Sequence, residues 1–177
     1  MKKIIFISIL LLLSGCSLYN TPKKQVEIFL TKYQTLDEEV TDSLDFDAFK
    51  NNDLTLAQKD KYTDIMEKQY QNLVYEIKDE RIDGKKALVT VEIEVYDYLT
   101  IINQAHQTKT LDNIDIIDEN GIISNTLFID SMLDKLDNAK ERIKYTLEIN
   151  LTKIGDDWVV DNLDKENLDK ISGVYNY

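Results

Sequence analysis

Cysteine, proline, glycine and histidine are all scarce in this sequence. Among 177 residues there are one cysteine, one proline, five glycines and one histidine, His106. A single cysteine excludes an intrachain disulfide and a cysteine metal cluster, and a single histidine excludes a metal site built on three histidines. One proline and five glycines leave no material for a flexible linker or stalk. We therefore expect one packed domain with no metal and no cofactor.

Basic residues and catalytic motifs are also under-represented. The chain has 21 Lys and Arg against 33 Asp and Glu, and this balance argues against nucleic acid as a partner, since affinity for phosphates depends on clustered basic residues. The sequence contains no phosphate-binding glycine loop, dinucleotide fingerprint, zinc-protease motif or nucleophile elbow. We expect a protein that is not an enzyme. A weaker alternative is an enzyme that uses a buried carboxylate with a raised pKa.

One segment partly matches a calcium loop. With Gly121 at the sixth position of an EF-hand loop, Asp118 and Asn120 fall on ligand positions three and five. The first and twelfth positions are Ile116 and Leu127, where the motif needs carboxylates. The segment is therefore predicted to be a polar turn and not a metal site.

The longest apolar run in the sequence stands near its beginning. Lys2 and Lys3 precede residues 4–13, which are apolar or nearly so, and small residues follow. This order is typical of a secretory signal. Ten helical residues rise only about 15 Å, half of the roughly 30 Å hydrocarbon core, so a transmembrane anchor is the weaker interpretation. An unmodified signal peptide is the other alternative.

The run Leu13-Ser14-Gly15-Cys16 resembles the lipobox of bacterial lipoproteins. The resemblance implies cleavage between Gly15 and Cys16 and a lipid on the Cys16 sulfur, which would hold the protein at the extracytoplasmic face of the cell membrane. We therefore divide the chain into a signal peptide (1–15), a lipidated tether (16–21) and a single domain (22–177). Without Lys2 and Lys3 that domain has 19 basic and 33 acidic residues, a formal net charge of −14.

Apolar residues recur at helical spacing in five stretches, and residues 37–52 give a mixed signal that fits a continued or second helix. Thr21-Pro22 is a typical helix start, and Thr55 with Gln58 predicts a capping box. Asp164 and Gly173 fit the two ends of a short final helix. The predicted helices are residues 22–36, 56–73, 98–107, 126–140 and 165–172.

Two stretches show the two-residue alternation of half-buried strands. The first predicts a hairpin of residues 74–82 and 87–98, with Asp83-Gly84 as its turn pair. The second predicts a hairpin of residues 142–153 and 158–163 across residues 155–157. Two hairpins with one-sided helices indicate an α+β fold, an antiparallel sheet with helices packed on one face.

This order of helices and hairpins also resembles small lipoproteins of low-GC bacteria with a cystatin-like or nuclear-transport-factor-like domain. That resemblance covers residues 22–163 without a diagnostic motif and implies a cone-shaped sheet. Residues 99–125 depart from the simplest cone.

Two functional hypotheses follow. The first is a lipid-anchored, non-enzymatic domain that binds an envelope protein or a surface polymer. The alternative is a small-molecule carrier or sensor with an apolar or aromatic pocket. Its candidate lining residues are the tyrosines on or beside the strands, which could equally edge the core: Tyr75, Tyr96, Tyr98 and Tyr145.

Overall fold

A computed structural model describes residues 20–42, 44, 54–109 and 114–176. The predicted signal peptide (1–15), the predicted cleavage site at Gly15 and Cys16, and most of the predicted tether lie outside these residues. Their assignments stay predictions.

The five predicted helices and the two hairpins follow the predicted order, a short helix at Glu38–Thr41 lies within the stretch of mixed signal, and the structure confirms the α+β class. A short 3₁₀ turn spans Ile114–Ile116. The helices are α1 (Pro22–Gln34), α2 (Glu38–Thr41), α3 (Leu56–Gln71), α4 (Tyr98–Gln107), α5 (Asn125–Asp137) and α6 (Lys165–Ser172). The strands are β1 (Val74–Asp83), β2 (Lys86–Tyr96), β3 (Arg142–Ile154) and β4 (Asp157–Val160).

The described helices begin at side chains that accept hydrogen bonds from backbone N–H groups. The Thr21 hydroxyl accepts from the N–H of Lys24 at the start of α1. Thr55 and Gln58 form the predicted reciprocal capping box at the start of α3. Such caps satisfy N–H groups that have no partner inside the helix.

The four strands form one antiparallel sheet in the order β1-β2-β3-β4. The pairing of β2 with β3 runs from Lys86 opposite Thr152 to Tyr96 opposite Arg142. The side chains that alternate onto one face, called here the inner face, are at most 5% exposed. They are Ala87, Val89, Val91, Ile93 and Val95 on β2, and Tyr145, Leu147, Ile149 and Leu151 on β3.

Helices α1 and α3 cover the inner face, α5 packs beside α3, and α4 packs against α5. Their apolar stripes complete the core of the domain. The opposite face of the sheet, called here the outer face, carries polar side chains such as Glu92, Thr146 and Glu148 and is open to solvent. The predicted packing of helices on one face of the sheet is therefore confirmed.

The first hairpin turns one residue later than predicted. Asp83 pairs with Lys86, so the turn residues are Gly84 and Lys85 rather than Asp83 and Gly84. The register shifts between Ile77 and Asp79, which makes a bulge at Lys78. A bulge adds one residue to one strand, and here the extra residue gives the hairpin a two-residue turn. Gly84 takes the left-handed conformation that this turn requires, with φ of +59°.

The second hairpin also differs in its bounds. Asp157 belongs to β4 and pairs with Ile154, so the turn is Gly155 and Asp156. Strand β4 ends at Val160 instead of residue 163, and one more bond in the same register follows it, from the N–H of Asp161 to the Asn150 carbonyl at 2.9 Å.

Helix α6 covers the part of the β3 edge that the short strand β4 leaves open. The side chain of Asn167 donates to the carbonyl of Glu148 at 3.4 Å, and the ammonium of Lys170 donates to the carbonyl of Thr146 at 3.0 Å. These bonds satisfy carbonyls that would otherwise offer a pairing edge to another strand. The other edge, β1, has the bulge and a series of charged side chains, which also disfavour pairing.

A buried glutamine joins three segments at the end of the sheet opposite the hairpin turns. Gln69 on α3 is 0% exposed. Its side-chain oxygen accepts from the N–H of Tyr96 at 2.8 Å, and its nitrogen donates to the carbonyls of Tyr96 at 3.0 Å and Ser172 at 3.1 Å. The amide thus connects α3, the end of β2 and the end of α6.

Gly173 ends α6 against the same junction. Its φ is +73°, and the N–H groups of Gly173 and Val174 donate to the carbonyls of Lys170 and Asp169, the pattern of a Schellman motif. A β-carbon at this position would lie 2.2 Å from the carbonyl oxygen of Tyr96. The Gly173 carbonyl accepts from the N–H of Leu99 at 2.9 Å. The end of α6 is therefore held directly against the first turn of α4.

Candidate functional site

The four tyrosines predicted as pocket residues lie on different sides of the sheet. Tyr75 and Tyr145 flank Ile93 on the inner face, one on β1 and one on β3. Tyr96 is on the outer face, where the guanidinium of Arg142 lies 4.9 Å from its ring centre. The rings of Tyr96 and Tyr98 stack with centres 6.1 Å apart. The four side chains do not converge on one cavity.

The hydroxyls of the two most buried of these tyrosines have partners inside the domain. The Tyr98 hydroxyl donates to the carbonyl of Ile65 at 3.2 Å, and burial raises the pKa of Tyr98. The Tyr145 hydroxyl donates to the carbonyl of Tyr175 at 3.3 Å, and these two rings meet edge to face. Both tyrosines contribute to the core, as buried phenols with hydrogen-bond partners do.

A cleft of about 360 Å³ lies instead between the outer face of β3 and helix α6. The register of β3 places alternate polar side chains along one wall, and the first two turns of α6 form the other. The lining residues are Thr146, Glu148, Asn150, Asp164, Glu166, Asn167 and Lys170.

The cleft is acidic, with three carboxylates and one ammonium among its lining residues. Lys170 is engaged by its own domain, since it pairs with Glu166 at 2.7 Å as well as donating to Thr146. Asp164 accepts from the N–H of Asn167 at 2.8 Å as the cap of α6. Within the described part of the chain, no basic side chain forms an ion pair with Glu148. The cleft therefore offers an exposed carboxylate next to neutral hydrogen-bonding groups.

Cross-strand ion pairs organise the outer face beside this cleft. Glu92 on β2 receives Lys144 of β3 at 2.9 Å and Lys78 of β1 at 3.6 Å. The hydrogen bond from Lys144 is the main cause that lowers the pKa of Glu92. Arg142 pairs with Glu94 at 3.0 Å. Exposed pairs of this kind add little stability each, but together they set a regular pattern of charge across the three strands.

The segment that partly matches a calcium loop is a tight turn. Ile117 bridges Ile123, and the carboxylate of Asp118 accepts from the N–H groups of Asn120 at 2.9 Å and Ile122 at 3.0 Å. The bond from Ile122 is the main cause that lowers the pKa of Asp118. The Asp118 carboxylate therefore accepts hydrogen bonds from N–H groups of its own turn, which agrees with the predicted polar turn.

The single histidine is exposed on α4, and its ring centre lies 5.3 Å from that of Phe128. Over residues 20–42, 44, 54–109 and 114–176, no group of three potential metal ligands comes together. None of the helices in that same part of the chain is long and apolar enough to cross a membrane.

The chain enters the domain at the turn of the second hairpin. The side chain of Asn20 donates to the carbonyl of Asp156 and, at 2.9 Å, to the carboxylate of Asp157. Its oxygen accepts from the N–H of Trp158 at 3.1 Å. Trp158 is only 7% exposed, so Asn20 is bonded to a residue that packs in the core. The predicted tether is therefore fixed to the β3–β4 turn at Asn20.

The sequence had no local signal for the cleft. Glu148 is on β3 and Glu166 is on α6, and strand β4 lies between these elements in the sequence. Their proximity depends on where α6 lies over the β3 edge. Gln69 did carry a signal, because it follows Ile65 and Met66 at helical spacing on the buried face of α3. A polar residue at such a position is expected to have a buried partner.

Comparisons with known proteins assign no family. No protein-family model matches the chain, and no curated protein matches it. The crystal structure of YcdA, a candidate lipoprotein of Bacillus subtilis, is similar with a TM-score of 0.46 and 11% identity, over 86% of this chain and 47% of that chain. The chain thus spans about half the length of that protein.

Proposed function

We propose that this chain is a lipid-anchored, non-enzymatic domain on the extracytoplasmic face of a cell membrane, where it binds an envelope protein or a surface polymer through the outer face of its sheet. The observation that carries the binding role is the cleft between β3 and α6. It is a concave polar site where the solvent-facing side of β3 meets α6.

The predicted lipidation at Cys16 supports the anchoring role. Asn20 follows Cys16 by four positions, and four extended residue steps span about 14 Å at most. Because Asn20 is held to the β3–β4 turn, a lipid on Cys16 would keep the domain close to the bilayer in a restricted orientation. Two or more acyl chains anchor a protein stably where one is marginal.

The acidic character of the cleft supports a partner with basic or amine groups. Glu148 is exposed and the carboxylates outnumber the ammonium groups around it. Such charge complementarity favours the encounter with a cationic partner and orients it. The neutral donors and acceptors of Thr146 and Asn150 would add hydrogen bonds that fix its position.

Replacing the predicted lipidation site tests the anchor. In its own host, a Cys16→Ser protein is expected to leave the membrane fraction or to stay unprocessed, because the thioether bond requires sulfur. Cell fractionation with immunoblotting measures both outcomes. A Ser17→Ala protein is the matched control and is expected to stay with the membrane. Normal processing and full membrane retention of the Cys16→Ser protein would contradict the proposal.

Photo-crosslinking from the cleft tests the binding role. With a benzophenone amino acid at Thr146, intact cells are expected to give a reproducible crosslinked product after irradiation. The control places the same amino acid at Asp64, an exposed position on α3 on the helical side of the domain. The proposal fails if both positions yield the same products, since random neighbours would react equally with either face.

The size of the cleft favours a second candidate, a carrier or sensor of a small molecule. Ligand sites commonly enclose about 300–1,000 Å³, and the cleft falls in this range. Its polar lining favours a small cation rather than an apolar ligand. Native mass spectrometry of the chain purified from its own host distinguishes the candidates, because a carrier is expected to retain reproducible extra mass below about one kilodalton.

A further inference from the structure

The two hairpin turns lie side by side at the end of the domain where the chain enters. The N–H of Lys153 donates to the carbonyl of Lys85 at 2.8 Å, which joins the β3–β4 turn to the β1–β2 turn. Asn20 is attached to the same end. Residues 82–86 and 153–157 are called here the tip.

The tip has exposed apolar side chains. Ile82 is 56% exposed and Ile154 is 64% exposed. Single exposed apolar residues are common on protein surfaces. By the strand register, Ile82 points to the inner side of the sheet and Ile154 to the outer side. Both stand at the turn end of their strands, however, where the tether begins.

The charge of the tip differs from that of the domain. Its lysines are Lys85, Lys86 and Lys153, and its aspartates are Asp83, Asp156 and Asp157, so the tip has no net charge, whereas the predicted mature domain has a formal charge of −14. An anionic bilayer therefore does not repel this end as it repels the rest of the domain. Lysine side chains also extend their apolar stems along a bilayer surface while the ammonium stays in water.

We propose that the tip rests on the bilayer that holds the lipid anchor, with Ile82 and Ile154 inserted at the headgroup level. This inference rests on the proposed anchoring at Cys16, because the tether of about 14 Å brings only this end within reach of the membrane. The strands then stand upright, and the cleft faces sideways above the bilayer. The lipid headgroup region then covers these two exposed apolar side chains, one on each side of the sheet end.

A site-specific fluorophore tests this contact on the complete lipidated protein. Because Cys16 is the single cysteine and its sulfur is in a thioether after processing, an introduced cysteine is the one reactive thiol. The first variant is Ile154→Cys and the matched control is Lys140→Cys, an exposed position just before β3. At about 3.4 Å per residue, the 13 residues of β3 separate these ends by roughly 40 Å.

The labelled proteins are reconstituted in phosphatidylglycerol vesicles that contain a lipid with a nitroxide headgroup. The label at position 154 is expected to be quenched several-fold more than the label at position 140, and an Ile82→Cys label is expected to behave like the one at position 154. Equal quenching at both ends of β3 in protein that floats with the vesicles would overturn the tip contact and leave the anchor standing. Protein that does not float with the vesicles would overturn both.

Discussion

A Gly173→Ala protein is expected to be less stable than the original chain by about 2–5 kcal/mol. The left-handed conformation at φ of +73° costs a residue with a β-carbon about 1–2 kcal/mol. The new methyl group would also meet the Tyr96 carbonyl oxygen at 2.2 Å and the Gln69 side-chain nitrogen at 2.4 Å, and overpacking of this kind costs about 1–3 kcal/mol more. Urea unfolding measures the difference.

Gly121→Ala is the matched control for this prediction. Its φ is +78°, close to that of Gly173, but among the described residues no atom beyond its two chain neighbours lies within 4 Å of the position of its β-carbon. It is expected to lose only the conformational part, about 1–2 kcal/mol. Equal losses in the two proteins would show that Gly173 is needed for its backbone conformation alone and that the close contact with Tyr96 relaxes freely.

A Gln69→Leu protein is expected to lose about 3–5 kcal/mol. The change keeps a side chain of similar size but leaves the Tyr96 N–H and the carbonyls of Tyr96 and Ser172 without their partner. Each buried polar group left unsatisfied costs about 1–3 kcal/mol, and the burial of a leucine offsets part of the sum. Thermal unfolding is expected to show a midpoint lower by roughly 6–20 °C for a domain of this size.

Gln71→Leu controls for the general effect of leucine on α3, because Gln71 is exposed at the end of the same helix. It is expected to change stability by less than about 0.5 kcal/mol. A Gln69→Leu protein as stable as this control would contradict the role assigned to the buried amide.

A Gln69→Glu protein adds a dependence on pH to the same test. Burial and two facing carbonyl oxygens disfavour the charged carboxylate, so the pKa of the introduced carboxyl is raised in the folded state. Because the folded pKa of this carboxyl is raised, its contribution to the free energy of unfolding is fully present below the unfolded pKa of about 4.3. That contribution is lost as pH rises through the folded pKa. The protein is therefore expected to be destabilised more at pH 7 than at pH 4, relative to the original chain.

Much of the fold was predictable because its signals are local. Strict alternation of apolar and polar residues identified β2 and β3, and the inner face that it predicts is the buried one. Thr55 with Gln58, and Asp164 with Gly173, marked helix ends through the same hydrogen bonds that the structure contains. Each of these signals comes from residues that lie close together in the sequence.

The parts that were missed depend on contacts across the chain. The bulge at Lys78 sets the first turn through the pairing of two whole strands, and no single residue marks it. The cleft requires α6 to lie against β3, which Asn167 and Lys170 achieve through bonds to backbone carbonyls. Every residue type carries the same backbone carbonyl, so a contact with a carbonyl leaves no pattern in the order of the residues. The predicted tyrosine pocket assumed that residues near the strands share one side of the sheet, whereas Tyr96 faces away from Tyr75 and Tyr145.

The covering of the β3 edge by α6 has a consequence for crowding. Proteins tethered to one surface meet their own copies at a high effective concentration. Under these conditions an open strand edge would pair with strands of neighbouring copies. Repeated pairing of this kind would join the copies into a filament. With Asn167 and Lys170 occupying the carbonyls of Glu148 and Thr146, and with charges and a bulge along β1, many copies anchored as proposed would share a membrane as separate molecules.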